Sequence, residues 1–139
     1  MEEETSGASA DNGPRVLVVE DDANMAVILK FNLQGAGYRV DIARDGVEAL
    51  RRIWDQRPDL VVLDIMMPRM DGWEVLESVR SDPSLRSLPV IILTNKREDE
   101  AVARGWSSGV DCYLTKPFEM ADLLLVAKRI LQTASSERP

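Results

Sequence analysis

Residues 16–22 read VLVVEDD, four apolar residues followed at once by three acids. A short, uninterrupted apolar run of this kind is typical of a strand buried on both faces of a parallel sheet. Two later stretches repeat the pattern, LVVLD at 60–64 and PVIILT at 89–94, and weaker strands are predicted at 38–43 and 111–115. The chain therefore offers five candidate strands in a single pass.

Apolar residues at helical spacing follow each predicted strand. The predicted helices cover 25–36, 45–56, 73–81, 98–108 and 119–133. Gly37 ends the first helix, and Asp22 or Asn24 is its candidate N-cap. At the second helix, Asp45 with Glu48 resembles a capping box. Strands that alternate with helices imply parallel pairing, so we predict the α/β class and a single doubly wound (βα)5 domain with a five-stranded parallel sheet.

The composition excludes several kinds of chemistry. The 139 residues include no histidine and one cysteine, Cys112, which rules out Ser-His and Cys-His pairs, histidine-ligated zinc and an intramolecular disulfide. The net charge of −7 argues against direct contact with nucleic acid. No apolar run is long enough to cross a membrane, and the acidic N-terminus is unlike a signal peptide, so we expect a cytoplasmic location.

The character of the sequence changes along the chain. Residues 1–14 are small, polar and acidic, which predicts a disordered tail. The strand and helix patterns occupy residues 15–133 and predict one folded domain. Residues 134–139 are expected to form a frayed C-terminal end.

Polar residues stand where the predicted strands end. Ligands of open parallel sheets bind beyond the carboxyl ends of the strands, a boundary that we call the carboxyl edge. Five residues end strands there: Glu20 and Asp21 the first, Asp64 the third, Thr94 the fourth and Lys116 the fifth. Clustered carboxylates need a cation, and Mg²⁺ suits a site with few carboxylates and several waters. A carboxylate beside Mg²⁺, lysine and threonine suits phosphoryl transfer, with Asp64 as the nucleophile.

Four stretches occur together and in order: VLVVEDD (16–22), LVVLDIMMPRMDG (60–72), PVIILT (89–94) and YLTKPF (113–118). They resemble the receiver (CheY-like) domain of two-component response regulators, and the resemblance covers roughly residues 15–133. It implies a flavodoxin-like strand order, 2-1-3-4-5. It also implies a signalling domain rather than an enzyme, because a receiver catalyses only its own phosphorylation and dephosphorylation.

The resemblance implies a phosphoacceptor and a metal site. Asp64 would accept a phosphoryl group from the phosphohistidine of a sensor histidine kinase or a phosphotransfer protein. The ligands of Mg²⁺ would be Glu20, acting mainly through water, with Asp21, Asp64 and the backbone carbonyl of Met66. The absence of histidine agrees with this role, because the phosphohistidine then belongs to another chain.

Three further residues would couple phosphorylation to a change of shape. Lys116 would pair with Asp64 and then with the phosphoryl oxygens, and the Lys116–Pro117 bond resembles the family's cis peptide. Thr94 would contact the phosphoryl group and move, and Tyr113 would follow as a second switch residue. The face made by the fourth helix, the fifth strand and the fifth helix would then control a downstream protein target or an output domain.

Some residues depart from the family's pattern or exceed what the core needs. Asn95 stands where a small residue is usual, so the rates of phosphotransfer and hydrolysis are expected to differ from the norm. Cys112 and Val126 replace the acid and the arginine of a salt-bridged dimer face, which favours a monomer or a weak dimer.

The last helix carries more apolar residues than a core-facing stripe needs. The extra residues, Leu124 and Leu125, form either an exposed patch for a partner or a fully covered stripe.

The leading interpretation is a phosphorylation-activated switch. The alternative is a phosphate-independent receiver-like docking module, for which Asn95 and the apolar last helix are the support. A Mg²⁺-dependent aspartyl-phosphate hydrolase is set aside, because Met66 stands where those enzymes carry a second Asp. The sequence leaves open whether the receiver acts alone or belongs to a longer regulator.

Overall fold

The computed structural model describes residues 13–65, 67, 72–95 and 112–137. Five strands form one sheet: β1 (Arg15–Val19), β2 (Arg39–Ala43), β3 (Leu60–Asp64), β4 (Val90–Asn95) and β5 (Cys112–Lys116). Their order is β2-β1-β3-β4-β5, and every pairing is parallel. The predicted fold class and strand order are confirmed.

Four helices lie in these residues: α1 (Ala23–Gly35), α2 (Gly46–Asp55), α3 (Gly72–Ser81) and α4 (Met120–Glu137). Asp22 is the N-cap of α1, because its side chain accepts a hydrogen bond from the Asn24 amide at 2.9 Å. Asp45 caps α2 by accepting from the Glu48 amide at 2.8 Å. In a capping box, the Glu48 carboxylate would accept a hydrogen bond from the amide of the N-cap, Asp45. Here it accepts from the amide of Arg44, the residue before the N-cap, so the predicted capping box is shifted by one residue in its second bond. None of the four helices is long and apolar enough to cross a membrane.

Helices cover both faces of the sheet, which is why its strands are continuous apolar runs. All of β3 is buried, and so is β1 from Val16 onward. On one face, residues of α1 and α4 pack into a core that includes Leu29, Leu33, Leu123 and Ala127. On the other face, residues of α2 and α3 pack into a second core that includes Leu50, Ile53, Leu76 and Val79.

Not all apolar residues of α1 are buried. Ile28 falls at helical spacing with the buried Leu29 and Leu33, yet it is 48% exposed. Val27 and Phe31 are 61% and 75% exposed. Because α1 carries apolar residues around its whole circumference, their spacing does not determine which of them face the core.

Residues next to both predicted boundaries of the domain take part in hydrogen bonds or in a helix. The Arg39 amide donates to the Pro14 carbonyl at 2.9 Å and the Arg39 Nε donates to the Gly13 carbonyl at 2.8 Å, so these two tail residues are tied to β2. At the other end, α4 continues past Thr133 to Glu137, because no glycine or proline stops it there. The rest of the predicted tail, 1–12, and the predicted helix at 98–108 lie outside the described residues.

Candidate metal and phosphoryl-transfer site

The parallel sheet brings the predicted site residues to its carboxyl edge. β3 pairs with both β1 and β4, so Asp64 at the end of β3 is central. Carboxylate oxygens of Glu20, Asp21 and Asp64 lie within 4.8 Å of one another. From β5, the Lys116 Nζ lies 3.2 Å from Asp64 Oδ1. Three carboxylates and one ammonium therefore surround the end of β3.

Two side-chain atoms at this edge are buried without a partner. Glu20 and Asp64 are 2% exposed and Thr94 is 1% exposed. Among the described residues, Glu20 Oε1 and Thr94 Oγ1 have no hydrogen-bond partner. Buried polar atoms are nearly always satisfied, and each one left unpaired costs about 1–3 kcal/mol. A cation beside Glu20 and an acceptor oxygen beside Thr94 would satisfy both atoms.

Glu20 is the carboxylate of this cluster whose pKa is raised. Burial and the neighbouring Asp64 carboxylate raise the pKa of Glu20 to about 7, against the opposing effects of Lys116 and the Asp22 amide. That amide donates to Glu20 Oε2 at 3.3 Å. A divalent cation among the carboxylates would favour the ionised form of Glu20. Oxygen ligands of this kind fit a hard cation such as Mg²⁺.

The raised pKa predicts how stability depends on pH when no metal is bound. Glu20 holds a proton in the folded protein up to about pH 7, whereas its ordinary pKa is 4.5. Its contribution to stability is therefore present at low pH and is lost as the pH rises through 7. When the pH is raised from about 5 to about 8 in EDTA, the unfolding free energy of the wild type should fall relative to that of Glu20→Gln. The expected relative change is on the order of 3 kcal/mol.

Urea unfolding of the two proteins at both pH values measures this difference. Saturating Mg²⁺ should reduce it, because the cation favours the ionised carboxylate that only the wild type has. Parallel pH profiles of wild type and Glu20→Gln in EDTA would contradict the account of this cluster.

The start of α3 packs closely against the end of β3 at Gly72. The Gly72 amide donates to the Ile65 carbonyl at 3.1 Å. A Cβ at Gly72 would lie 2.8 Å from Ile65 Cα and 2.9 Å from the Asp64 carbonyl oxygen. Gly72 was not among the predicted site residues, and the Asp71-Gly72 dipeptide is the sequence signal that marks it. Gly72 therefore helps to set the position of the peptide that carries Asp64.

Alanine at Gly72 should destabilise the fold. The two close contacts are with backbone atoms, which cannot move aside as a flexible side chain would, so we expect a loss of about 1–3 kcal/mol in urea unfolding. Gly35→Ala is the matched control, because a Cβ at Gly35 meets nothing within 4 Å. That change should leave stability unaltered or raise it by up to about 1 kcal/mol. Equal effects of the two substitutions would contradict the role given to Gly72.

The other predicted site residues are distributed as follows. Tyr113 is half-buried against the α2–α3 core, and burial raises its pKa. The Lys116–Pro117 bond is cis. Met66 lies outside the described residues.

The last helix was predicted to carry either an exposed apolar patch or a fully covered stripe. Leu125 is 47% exposed while Leu124 packs on the α1–α4 core, so the structure favours an exposed apolar side chain.

Known proteins resemble this chain over most of its length. Residues 16–128 match the family model of the response regulator receiver domain. The response regulator MprA of Mycobacterium sp. (strain KMS) is 42% identical over 123 residues, which are 88% of this chain and 53% of that protein. The chain thus spans about half the length of the curated relatives it matches.

Solved structures share both the fold and part of the sequence. The signal receiver domain of a signal transduction histidine kinase from Syntrophus aciditrophicus has a TM-score of 0.84 at 35% identity, covering 91% of this chain and 95% of that one. The receiver domain of sensor histidine kinase PA1611 from Pseudomonas aeruginosa PAO1, with a magnesium ion coordinated in its active site cleft, has a TM-score of 0.79 at 30% identity over 86% of this chain and 98% of that one. The chain belongs to the receiver domain family of two-component response regulators.

Proposed function

We propose that this receiver is a phosphorylation-activated switch whose Asp64 accepts a phosphoryl group in a Mg²⁺-dependent reaction. The observation that carries the proposal is the surroundings of the Asp64 carboxylate. It lies within 4.8 Å of the Glu20 and Asp21 carboxylates and 3.2 Å from Lys116 Nζ. A nucleophile, a set of metal ligands and a cation thus share one small volume.

The proposed metal is Mg²⁺, held by Glu20, Asp21 and Asp64. The carbonyl of Met66, outside the described residues, stays a predicted fourth ligand. All of these ligands are oxygens, and Mg²⁺ keeps several waters when few carboxylates hold it. The magnesium ion in the active site cleft of the PA1611 receiver domain supports this choice. When bound, Mg²⁺ neutralises negative charge on the phosphoryl oxygens.

Asp64 is the proposed nucleophile. One of its carboxylate oxygens forms a bond to phosphorus while the bond from phosphorus to an imidazole nitrogen of the donor breaks, leaving the electron pair on that nitrogen. Lys116 moves its hydrogen bond from Asp64 to the phosphoryl group, and the Thr94 hydroxyl donates to another phosphoryl oxygen. The donor histidine comes from a sensor kinase or a phosphotransfer protein, because this chain contains no histidine.

Phosphorylation is proposed to shift the domain between two packed states. Thr94 moves toward the phosphoryl group and Tyr113 follows, which changes the face of β5 and α4. The helix predicted from the sequence at 98–108, outside the described residues, is proposed to belong to the same face. A groove beside β5, lined by Tyr113, Phe118 and others, and the exposed Leu125 support this face as the output surface. Its target is a separate protein or an output domain of a longer regulator.

Intact mass tests the proposed function. The protein is incubated with acetyl phosphate and either Mg²⁺ or EDTA. We expect a gain of one phosphoryl group with Mg²⁺ and none with EDTA. No gain in Mg²⁺, where a control receiver domain is labelled, would contradict the proposal and favour the phosphate-independent docking module.

A further inference from the structure

Arg44, the residue after β2, contacts the segment that carries two of the proposed metal ligands. Its guanidinium Nη2 donates a hydrogen bond to the backbone carbonyl of Asp21 at 3.2 Å. Asp21 follows Glu20 directly, and both carboxylates belong to the cluster at the carboxyl edge. Arg44 therefore touches the backbone of a proposed ligand without being a ligand itself.

The backbone of Arg44 is held in place from the opposite side. Its amide donates to Glu48 Oε1 at 2.8 Å, and the other oxygen of Glu48 accepts from Arg52 Nε at 3.1 Å. Glu48 is itself fixed by the N-cap of α2, because its amide donates to Asp45. Arg44 thus extends from a rigid helix start, which limits the positions that its guanidinium can reach.

The segment from Glu20 to Asp22 has few other backbone links to β2. The Glu20 amide donates to the Ala43 carbonyl at 3.0 Å and extends the ladder between β1 and β2 by one bond. The Asp21 carbonyl accepts from Arg44 instead of from a strand. The Asp22 amide of the same peptide donates to Glu20 Oε2 at 3.3 Å, so Arg44 is one of two hydrogen-bond partners that hold this peptide.

We propose that Arg44 is a positioning residue for the magnesium site, holding the Asp21 peptide in the orientation that directs its carboxylate toward Glu20 and Asp64. This inference rests on the proposed function, because it assigns a role at the same metal site. Partners outside the ligand shell that orient metal ligands strongly affect metal affinity. The opposite expectation follows from charge alone, since a nearby guanidinium repels Mg²⁺ and its removal would tighten binding.

Mg²⁺ titrations by calorimetry separate these two effects. Arg44→Met should weaken Mg²⁺ binding by about tenfold, the lower end of the usual loss for such partners. Arg44→Lys, which restores a donor and a charge, should recover most of that loss. Arg51→Met is the matched control, because Arg51 lies on α2, is 72% exposed, and among the described residues makes one ion pair, to Glu48 at 3.9 Å. It should bind Mg²⁺ like the wild type.

Phosphorylation by acetyl phosphate provides a second readout that a loss of folding would not imitate. In Arg44→Met, the half-saturating Mg²⁺ concentration should rise by about tenfold while the rate at saturating Mg²⁺ stays at the wild-type value. The urea midpoint in EDTA should not change, because Arg44 is exposed.

Unchanged or tighter Mg²⁺ binding by Arg44→Met would overturn the inference, as would an equal loss in Arg51→Met. If the wild type itself bound no Mg²⁺, the proposed function would fail together with the inference. That failure is distinguishable, because it appears in the wild type before any variant is compared.

Discussion

Asparagine in place of Asp64 is expected to abolish phosphoryl uptake from acetyl phosphate. The amide lacks the nucleophilic oxygen, so no bond to phosphorus forms. The substitution also removes one of the three carboxylates of the metal cluster. Intact mass should show the wild type labelled and Asp64→Asn unlabelled at the same Mg²⁺ concentration and time.

Asp55→Asn is the matched control for this experiment. Asp55 is an exposed residue at the end of α2, away from the carboxyl edge, and the chemical change is the same. This variant should be labelled like the wild type. Full labelling of Asp64→Asn would contradict Asp64 as the acceptor, and loss of labelling in both variants would show that the effect is not specific to the site.

Methionine in place of Lys116 is expected to slow phosphorylation by about 100-fold or more, the usual effect of removing one group that stabilises developing charge. The Lys116 ammonium is 3.2 Å from Asp64 Oδ1, and its side chain is 33% exposed. Methionine keeps the length of the side chain but supplies neither charge nor donor. Initial rates with acetyl phosphate at saturating Mg²⁺ measure the effect.

Two further results show whether Lys116 acts on the phosphoryl group. Mg²⁺ binding by Lys116→Met should be as tight as in the wild type or tighter, because a competing cation has been removed from the carboxylates. Lys128→Met removes an exposed lysine from α4 and should keep the wild-type rate. A wild-type rate in Lys116→Met would exclude Lys116 from the reaction.

The fold and the grouping of the site residues were predictable because both depend on simple periodicity. Continuous apolar runs such as 60–64 identify strands buried on both faces, and the intervening helices require parallel pairing. Parallel strands place their carboxyl ends together, so residues as distant in sequence as Glu20 and Lys116 are expected at one edge. The strand order, the carbonyl of Met66 as a ligand, and the switch roles of Thr94 and Tyr113 came from the resemblance to receiver domains.

Other features depend on three-dimensional packing that no local pattern specifies. The apolar residues of α1 surround the helix, so the sequence could not show that Ile28 and Phe31 face outward. The need for glycine at Gly72 arises from its distance to the Asp64 peptide. The hydrogen bond of Arg44 joins residues 23 positions apart, and Arg44 alone reads as an ordinary surface arginine.

Identification of the phosphorylated residue tests the central claim most directly. An acyl phosphate on aspartate is reduced by borohydride to an alcohol with release of phosphate, which converts that residue to homoserine. The protein is labelled with acetyl phosphate and Mg²⁺, reduced, digested and sequenced by mass spectrometry. We expect homoserine at position 64 and unmodified Glu20 and Asp21. Reduction at another carboxylate, with position 64 still aspartate, would contradict Asp64 as the phosphoacceptor.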